Sequence, residues 1–106
     1  MPKYLIEVTY MAEGCKGLLK DGGTKRKQVA EQALVSAGAK MEQFYFAFGD
    51  ADAYVMVDAP DHASILAASL TINSSGSVRL KTIALITPEE VDQAVKKSVT
   101  YRAPGS

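Results

Sequence analysis

Two apolar runs separated by a short acidic turn, in residues 44–60 (FYFAFGDADAYVMVDAP), constrain the fold of this chain more than any other feature. The first run is rich in aromatic residues, and the second is β-branched and apolar. Such runs on either side of Gly and Asp residues are typical of a β-hairpin. Pro60 ends the second strand because proline has no N–H to donate to a sheet. We therefore predict paired strands over Lys40–Phe48 and Ala53–Asp58.

The chain before this hairpin predicts one strand and two helices. Residues 3–10 alternate between apolar and polar types, which indicates a strand with one face on a core. A short helix is predicted over Ala12–Asp21 and ends at a glycine pair. A second, amphipathic helix is predicted over Lys25–Ala37, with Thr24 as its N-cap and Gly38 just beyond its end.

The chain after the hairpin predicts a helix, a strand and a final helix. Asp61 can cap a helix that runs to about Ile72, with a buried stripe of Ile65, Leu66, Ala68, Ser69 and Ile72. Val78–Ile86 is predicted as the fourth strand. Thr87 followed by proline and two glutamates indicates the start of a last helix, predicted to end near Val99. The resulting order, βαββαβ plus a terminal helix, predicts an α+β ferredoxin-like sandwich.

The bulk properties predict a single small domain without strong electrostatic preferences. We assign residues 1–100 to the domain and 101–106 to a C-terminal tail. Twelve basic residues balance twelve acidic ones, so neither nucleic acid nor a membrane is expected as a partner. No apolar run approaches the roughly 20 residues of a membrane span. The N-terminus lacks a signal-peptide pattern and the single Cys15 allows no internal disulfide, so we expect a cytoplasmic protein.

The predicted sheet has one face covered by helices and one bare face. Glu7, on a central strand, is expected on the bare face because burying an unpaired charge is very costly. The helix-covered side then carries Tyr4, Ile6, Val8, Val55, Val57, Val78, Leu80 and Ile86. The bare side carries Leu5, Glu7, Thr9, Tyr54, Met56, Arg79, Lys81, Ile83 and Leu85. Because this side is too apolar to stay in water as one patch, we expect a second copy to cover it in a homodimer or higher even oligomer.

The polar residues of the bare side form a candidate site for a small anionic or carbonyl-bearing ligand. Glu7, Thr9, Tyr54, Met56, Arg79 and Lys81 are the candidate ligand-binding residues, and Glu7, Tyr54 and Arg79 are the candidate catalytic ones. A simpler interpretation is that Glu7 pairs with Arg79 or Lys81 at the rim of an interface, where an ion pair adds little stability.

Other reactive side chains favour structural roles. His62 follows a helix cap and is expected to be exposed, and Cys15 is expected to be an unreactive thiol. Asp50 and Asp52 could bind a cation, but acidic turn residues usually cap backbone N–H groups, so no metal site is predicted. The basic stretch 20–27 could hold a phosphate at a helix N-terminus, but we expect a solvated basic face. Haem would need an axial ligand on the candidate face, so no cofactor is expected.

The turn Gly49-Asp50-Ala51-Asp52 carries a resemblance to the GYD domain family, whose motif is Gly-x-Tyr-Asp. Gly49 and Asp52 match the motif as structural turn residues, whereas Ala51 occupies the position of the tyrosine. The resemblance spans nearly the whole chain and implies a ferredoxin-like fold of the dimeric α/β-barrel group. That group includes cofactor-independent monooxygenases, haem proteins, isomerases and ligand-sensing domains, so the fold selects no single activity.

Three functional hypotheses follow. The preferred one is a small homo-oligomeric protein that binds a small molecule between paired sheets. The second is a cofactor-independent oxygenase or isomerase in which Glu7 is a base, Tyr54 a hydrogen-bond donor, and Arg79 or Lys81 stabilises a developing enolate. The third is a structural or stress-related assembly protein.

Overall fold

The computed structural model describes all 106 residues and contains four strands and four helices. The strands are β1 (Lys3–Tyr10), β2 (Lys40–Phe46), β3 (Ala53–Asp58) and β4 (Val78–Ala84). The helices are α1 (Ala12–Asp21), α2 (Gly23–Ser36), α3 (His62–Ser74) and α4 (Pro88–Val95). The predicted order of strands and helices is confirmed.

The four strands form one antiparallel sheet in the order β2-β3-β1-β4. Strands β1 and β3 occupy the centre of the sheet, so Glu7 lies on a central strand as predicted. Together with the element order, this arrangement is the ferredoxin-like α+β fold. Strands β1 and β2 are not adjacent in the sheet, and neither are β3 and β4, so the helices that connect them must cross the sheet. Helices α1, α2 and α3 cross on one face, and the opposite face has no helices.

Alternation along the central strands separates a buried face from the bare face. Each second residue of β1 and β3 is buried, from Tyr4 at 2% exposure to Val57 at 0%, and the residues between them are half-buried. Helices α2 and α3 add Leu34, Ile65 and Ala68 to this core. The division of residues between the two faces of β1 and β3 is as predicted, because side chains on a strand alternate with period two.

A β-bulge at Glu42 changes the side-chain alternation of β2. Met41 pairs with Val57 and Gln43 pairs with Met56, so Glu42 is an extra residue without an opposite partner. The bulge allows Met41 and Phe44 to face the same core although three positions separate them. The Glu42 carboxylate reaches Lys3, whose Nζ lies 2.8 Å from Oε1.

Three helix ends follow from local sequence signals. Gly38 adopts φ +86 after α2, and the N–H groups of Gly38 and Ala39 donate to Val35 and Leu34 in a Schellman arrangement. The Asp61 side chain accepts from the Ser64 N–H, which confirms the predicted cap of α3. Thr87 forms a capping box with Glu90 at the start of α4.

The predicted start of α2 is wrong. Thr24 is not the N-cap, because α2 begins at Gly23 and its N-cap is Gly22, which has no side chain to accept a hydrogen bond. Gly22 adopts φ +83, a conformation that glycine tolerates, and this allows α2 to begin immediately after α1.

Several predicted boundaries and buried positions are also wrong. Strand β2 ends at Phe46, and Phe48 lies in the turn, fully exposed. Strand β4 ends at Ala84, so Ile86 lies beyond the sheet and is 71% exposed instead of packing under the helices. Leu66 is 55% exposed because α3 turns its other side, with Ile65 and Ala68, toward the sheet.

The last helix extends away from the body of the domain. Helix α4 ends at Val95 instead of near Val99, and it makes no extensive contact with any other helix or strand. Its apolar residues Val91 and Val95 are exposed, as is Tyr101 in the tail. The radius of gyration is 17.2 Å, whereas a compact chain of this length has about 13 Å. No helix has the length and apolar character needed to cross a membrane.

Candidate functional site

An open groove of about 400 Å³ lies on the bare face, at the end of β1 and β4 that meets the β2–β3 turn. We call it the bare-face groove. Four of the six predicted ligand-binding residues line it, namely Glu7, Thr9, Arg79 and Lys81. The remaining lining residues are Met11, Asp50, Ala51 and Leu80. The structure therefore brings together residues that are more than 70 positions apart in the chain.

Antiparallel pairing sets the geometry of this groove. Glu7 lies directly opposite Lys81, and Thr9 lies directly opposite Arg79, across the β1–β4 ladder. Residues opposite each other on one face have Cβ atoms about 4.5–5.5 Å apart. Two cations on the edge strand thus face one carboxylate and one hydroxyl on the central strand.

The charged groups of the groove are not paired with one another. The chain has three ion pairs, and none includes Glu7, Asp50, Arg79 or Lys81. The rim ion pair that the simpler interpretation requires is therefore not formed in the single chain. These side chains also make no hydrogen bond to another side chain, so their donors and acceptors are available to a ligand.

Charged side chains do form ion pairs in a different part of the same sheet. Lys3 Nζ lies 2.8 Å from Glu42 and 2.9 Å from Asp58. Hydrogen bonds to Glu42 and Asp58 raise the pKa of Lys3 above its ordinary value, and the bond from Lys3 lowers the pKa of Asp58. This cluster lies at the opposite end of β1 from the groove and is exposed, so it holds strand ends together without forming a pocket.

The remaining two predicted ligand-binding residues, Tyr54 and Met56, lie outside the groove. Tyr54 is directly opposite Glu7 on β3, on the side away from Lys81, and Tyr45 is its next neighbour. Met56 belongs to an adjacent row of cross-strand neighbours with Leu5 and Ile83. The bare face therefore has a polar row, Tyr54–Glu7–Lys81, beside an apolar row, Met56–Leu5–Ile83.

The hairpin turn is fastened to the end of β1 and forms one wall of the groove. Gly49 adopts φ +106, which favours glycine. The Asp52 side chain accepts a hydrogen bond from the Tyr10 N–H at 2.8 Å, and the Asp52 N–H donates to the Val8 carbonyl. Ala51, in the place of the motif tyrosine, is 3% exposed and lines the groove.

Asp50 and Met11 line the groove but are not among the predicted ligand-binding residues. The sequence places Asp50 in a turn, where it could cap a backbone N–H or bind a cation, and Met11 just after the predicted end of β1. Only the sheet topology indicates that these two residues lie at the groove, because pairing β1 with β3 brings the β2–β3 turn beside the end of β1.

The remaining reactive side chains lie away from the groove. His62 Nδ1 lies 2.5 Å from the hydroxyl of the buried Tyr4, on the helix-covered side, and this hydrogen bond was not predicted. Cys15 is exposed on α1. Arg26, in the basic stretch where a solvated face was expected, is half-buried, and its Nε atom has no hydrogen-bond partner.

The four-stranded sheet, its helix-covered side and its polar bare-face groove define a ferredoxin-like α+β protein with a candidate ligand site on the sheet. The GYD domain model matches residues 4–95, which is most of the chain, and the protein belongs to the GYD domain family. The family resemblance inferred from the turn is thereby confirmed. No curated protein sequence matches the chain.

Proposed function

We propose that this protein binds a small carboxylic acid in the bare-face groove, and that the ligand also carries a hydroxyl or amino group. Arg79 and Lys81 bind the carboxylate, and Glu7 and Asp50 accept hydrogen bonds from the ligand's donor group. The observation that carries this proposal is that four ionisable side chains line one groove and none of them is in an ion pair.

The balance of charge in the groove supports this ligand class over a simple polyanion. Two cations, Arg79 and Lys81, and two carboxylates, Glu7 and Asp50, leave no net formal charge in the groove. A polyphosphate would gain from the cations but would be repelled by both carboxylates. A hydroxy acid or an amino acid offers a carboxylate to the two cations and a hydrogen-bond donor to the two carboxylates.

A second copy of the chain is proposed to close the groove. The apolar row Met56–Leu5–Ile83 lies beside the polar row on the same open face, and Ile83 is 42% exposed. Packing two such faces together would remove this row from water and enclose the polar groups. Enclosure lowers the local dielectric constant, which strengthens hydrogen bonds between the ligand and the charged side chains.

Calorimetric titration with a panel of small amino acids and 2-hydroxy acids tests this proposal. We expect at least one panel member to bind the wild type, and Arg79→Gln and Lys81→Gln each to weaken that binding by about tenfold or more. Lys97→Gln is the matched control, because this exposed lysine lies beyond α4, a helix that makes no extensive contact with the sheet. Its affinity should equal that of the wild type.

Two outcomes would contradict the proposal. One is a wild-type protein that binds no member of the panel. The other is an affinity that stays unchanged in both groove variants, which would place the ligand elsewhere on the molecule.

The polar row also supports a second candidate function, proton abstraction from a carbonyl compound. Tyr54, Glu7 and Lys81 occupy successive cross-strand positions, so a phenol, a carboxylate and an ammonium group lie side by side. In this function Glu7 would remove a proton next to the carbonyl, and Lys81 would stabilise the enolate.

Exchange of substrate protons in D2O distinguishes this enzymatic function from binding alone. A 2-oxo acid incubated with the protein would lose the NMR signal of its C3 protons faster than in buffer, and Glu7→Gln would abolish the difference. An exchange rate equal to the buffer rate would support binding without catalysis.

A further inference from the structure

A second, apolar cavity of about 100 Å³ lies on the other side of the sheet, between α2, α3 and the buried strand faces. Thirteen of its fifteen lining residues are hydrophobic, and the two polar ones are Arg26 and Ser69. The sheet separates this cavity from the bare-face groove, so the two sites share no charged side chain.

Small side chains on the two helices leave the cavity open. Ala30 and Ala33 on α2, and Ala68 and Ser69 on α3, line it where larger residues would fill the space against the sheet. Protein interiors are normally packed as densely as organic crystals, and an unfilled cavity lowers stability. Val29, at the solvent side of the lining, is 39% exposed, so a small molecule could enter beside α2.

Arg26 brings one buried N–H donor without a partner to the lining of this apolar cavity. The Arg26 Nε atom is buried and has no hydrogen-bond partner, and Arg26 takes part in no ion pair. A guanidinium group remains charged at all physiological pH values, and a buried donor without a partner is costly. Its planar set of N–H groups matches the two oxygens of a carboxylate.

We infer that the helix-side cavity is a binding site for a small carboxylic acid with an apolar body. The carboxylate pairs with Arg26, and the body fills the space left by the alanines of α2 and α3. An apolar cavity of about 150 Å³ can hold a benzene molecule. The helix-side cavity, at about 100 Å³, is smaller but opens to solvent beside α2, so it suits an apolar body of at most about six carbons with one edge exposed, and it excludes a long fatty-acid chain.

Titration of ¹⁵N-labelled protein with benzoate, followed by NMR, tests the inference. We expect benzoate to bind with a Kd of about 1 mM or tighter. Benzyl alcohol keeps the ring without the charge, and acetate keeps the charge without the ring. Both should bind at least about tenfold more weakly than benzoate, because each lacks one of the two interactions. The largest shifts are expected at Arg26, Ala33 and Ser69.

Two variants with matched controls locate the site. Arg26→Gln should weaken benzoate binding by about tenfold or more, whereas Lys27→Gln, which removes an exposed cation from the next position of α2, should not. Ala33→Leu should fill the cavity and weaken binding, whereas Ala67→Leu on the exposed side of α3 should leave it unchanged. The NMR spectrum of each variant without ligand reports whether it is folded.

The inference is overturned if folded wild-type protein does not bind benzoate, or if Arg26→Gln and Ala33→Leu both bind it as tightly as the wild type. Shifts confined to Glu7, Thr9 and Arg79 would also overturn it, because they would place benzoate in the bare-face groove. These outcomes are independent of the amino-acid and hydroxy-acid titrations, which probe the other face of the sheet.

Discussion

Lys81 lies directly opposite Glu7 on neighbouring antiparallel strands, and yet no ion pair joins the two side chains. The same sheet does form ion pairs at Lys3, where two carboxylates lie within 2.9 Å of the ammonium nitrogen. The chain therefore keeps unpaired charges at one end of the sheet and paired charges at the other. This difference supports the proposal that the bare-face groove binds a ligand.

The hydrogen bond from Tyr10 N–H to Asp52 should stabilise the fold. Asp52→Ala would remove the acceptor of a 2.8 Å bond that fastens the hairpin turn to β1. We expect a loss of about 1–2 kcal/mol in the free energy of unfolding, measured by urea denaturation. Asp50→Ala is the control, because the exposed Asp50 makes no side-chain hydrogen bond, and its stability should be within about 0.5 kcal/mol of the wild type. Equal losses of stability in the two variants would show that the hydrogen bond from Tyr10 to Asp52 does not stabilise the fold.

The two glycines of α1 should respond in opposite directions to alanine. A Cβ atom at Gly14 would lie 2.1 Å from the Ser77 carbonyl oxygen, whereas a Cβ atom at Gly17 would meet nothing within 4 Å. Gly14→Ala should therefore destabilise the protein by about 1–3 kcal/mol. Gly17→Ala should stabilise it by about 0.5–1 kcal/mol, since glycine is unfavourable inside a helix. Thermal or urea denaturation gives both values, and a neutral Gly14→Ala would mean that α1 does not pack on the loop before β4.

The Asp61 cap should make stability depend on pH in the acid range. The hydrogen bond from the Ser64 N–H lowers the pKa of Asp61 below its ordinary value. Because the pKa is lower in the folded state, the stabilisation is present above the unfolded-state pKa and is lost as the pH falls through the folded-state pKa. Asp61→Asn keeps a capping acceptor but cannot titrate.

Urea denaturation at a series of pH values measures this effect. Between about pH 5 and pH 2, the wild type should lose more stability than Asp61→Asn. Asp58, whose pKa is also lowered, contributes equally to both proteins and cancels in the comparison. Parallel pH profiles would contradict the assignment.

Helix α4 should contribute little to the stability of the single chain. It makes no extensive contact with another element, and Val91 and Val95 are exposed. Deletion of residues 87–106 should change the free energy of unfolding by less than about 0.5 kcal/mol under conditions where the protein is monomeric. Val57→Ala, at a fully buried core position, is the contrasting variant and should cost about 1–3 kcal/mol. A large loss on deletion would mean that α4 packs on the body in solution.

The features that the sequence predicted correctly are those that depend on neighbouring residues or simple periodicity. The alternation in residues 3–10 and 53–58 separated Tyr4, Ile6 and Val8 from Glu7 correctly. The caps at Asp61 and Thr87 follow from hydrogen bonds that span three residues. The grouping of Glu7 with Arg79 and Lys81 followed from strand order, since antiparallel pairing aligns them once β1 and β4 are neighbours.

The features that the sequence did not predict depend on tertiary packing. Leu66 and Ile86 are apolar and fit the patterns of their elements, but their exposure is decided by how far β4 extends and how α3 rotates. The bulge at Glu42 leaves no local signal, although it places Met41 and Phe44 on one face. The unpaired Nε atom of Arg26 belongs to a cavity lined by two helices and all four strands, so no short stretch of sequence could indicate it.

Native mass spectrometry of the purified protein tests most directly the central claim that a second copy encloses a ligand on the bare face. We expect the wild type to be a dimer, or a multiple of one, that carries the added mass of a small molecule. Ile83→Glu should be a monomer without the added mass, because it places a charge in the apolar row of the bare face. Leu70→Glu, at an exposed leucine on the helix side, should keep the dimer and the added mass. A wild-type monomer at micromolar concentration, or an Ile83→Glu variant that remains a ligand-bound dimer, would contradict the account.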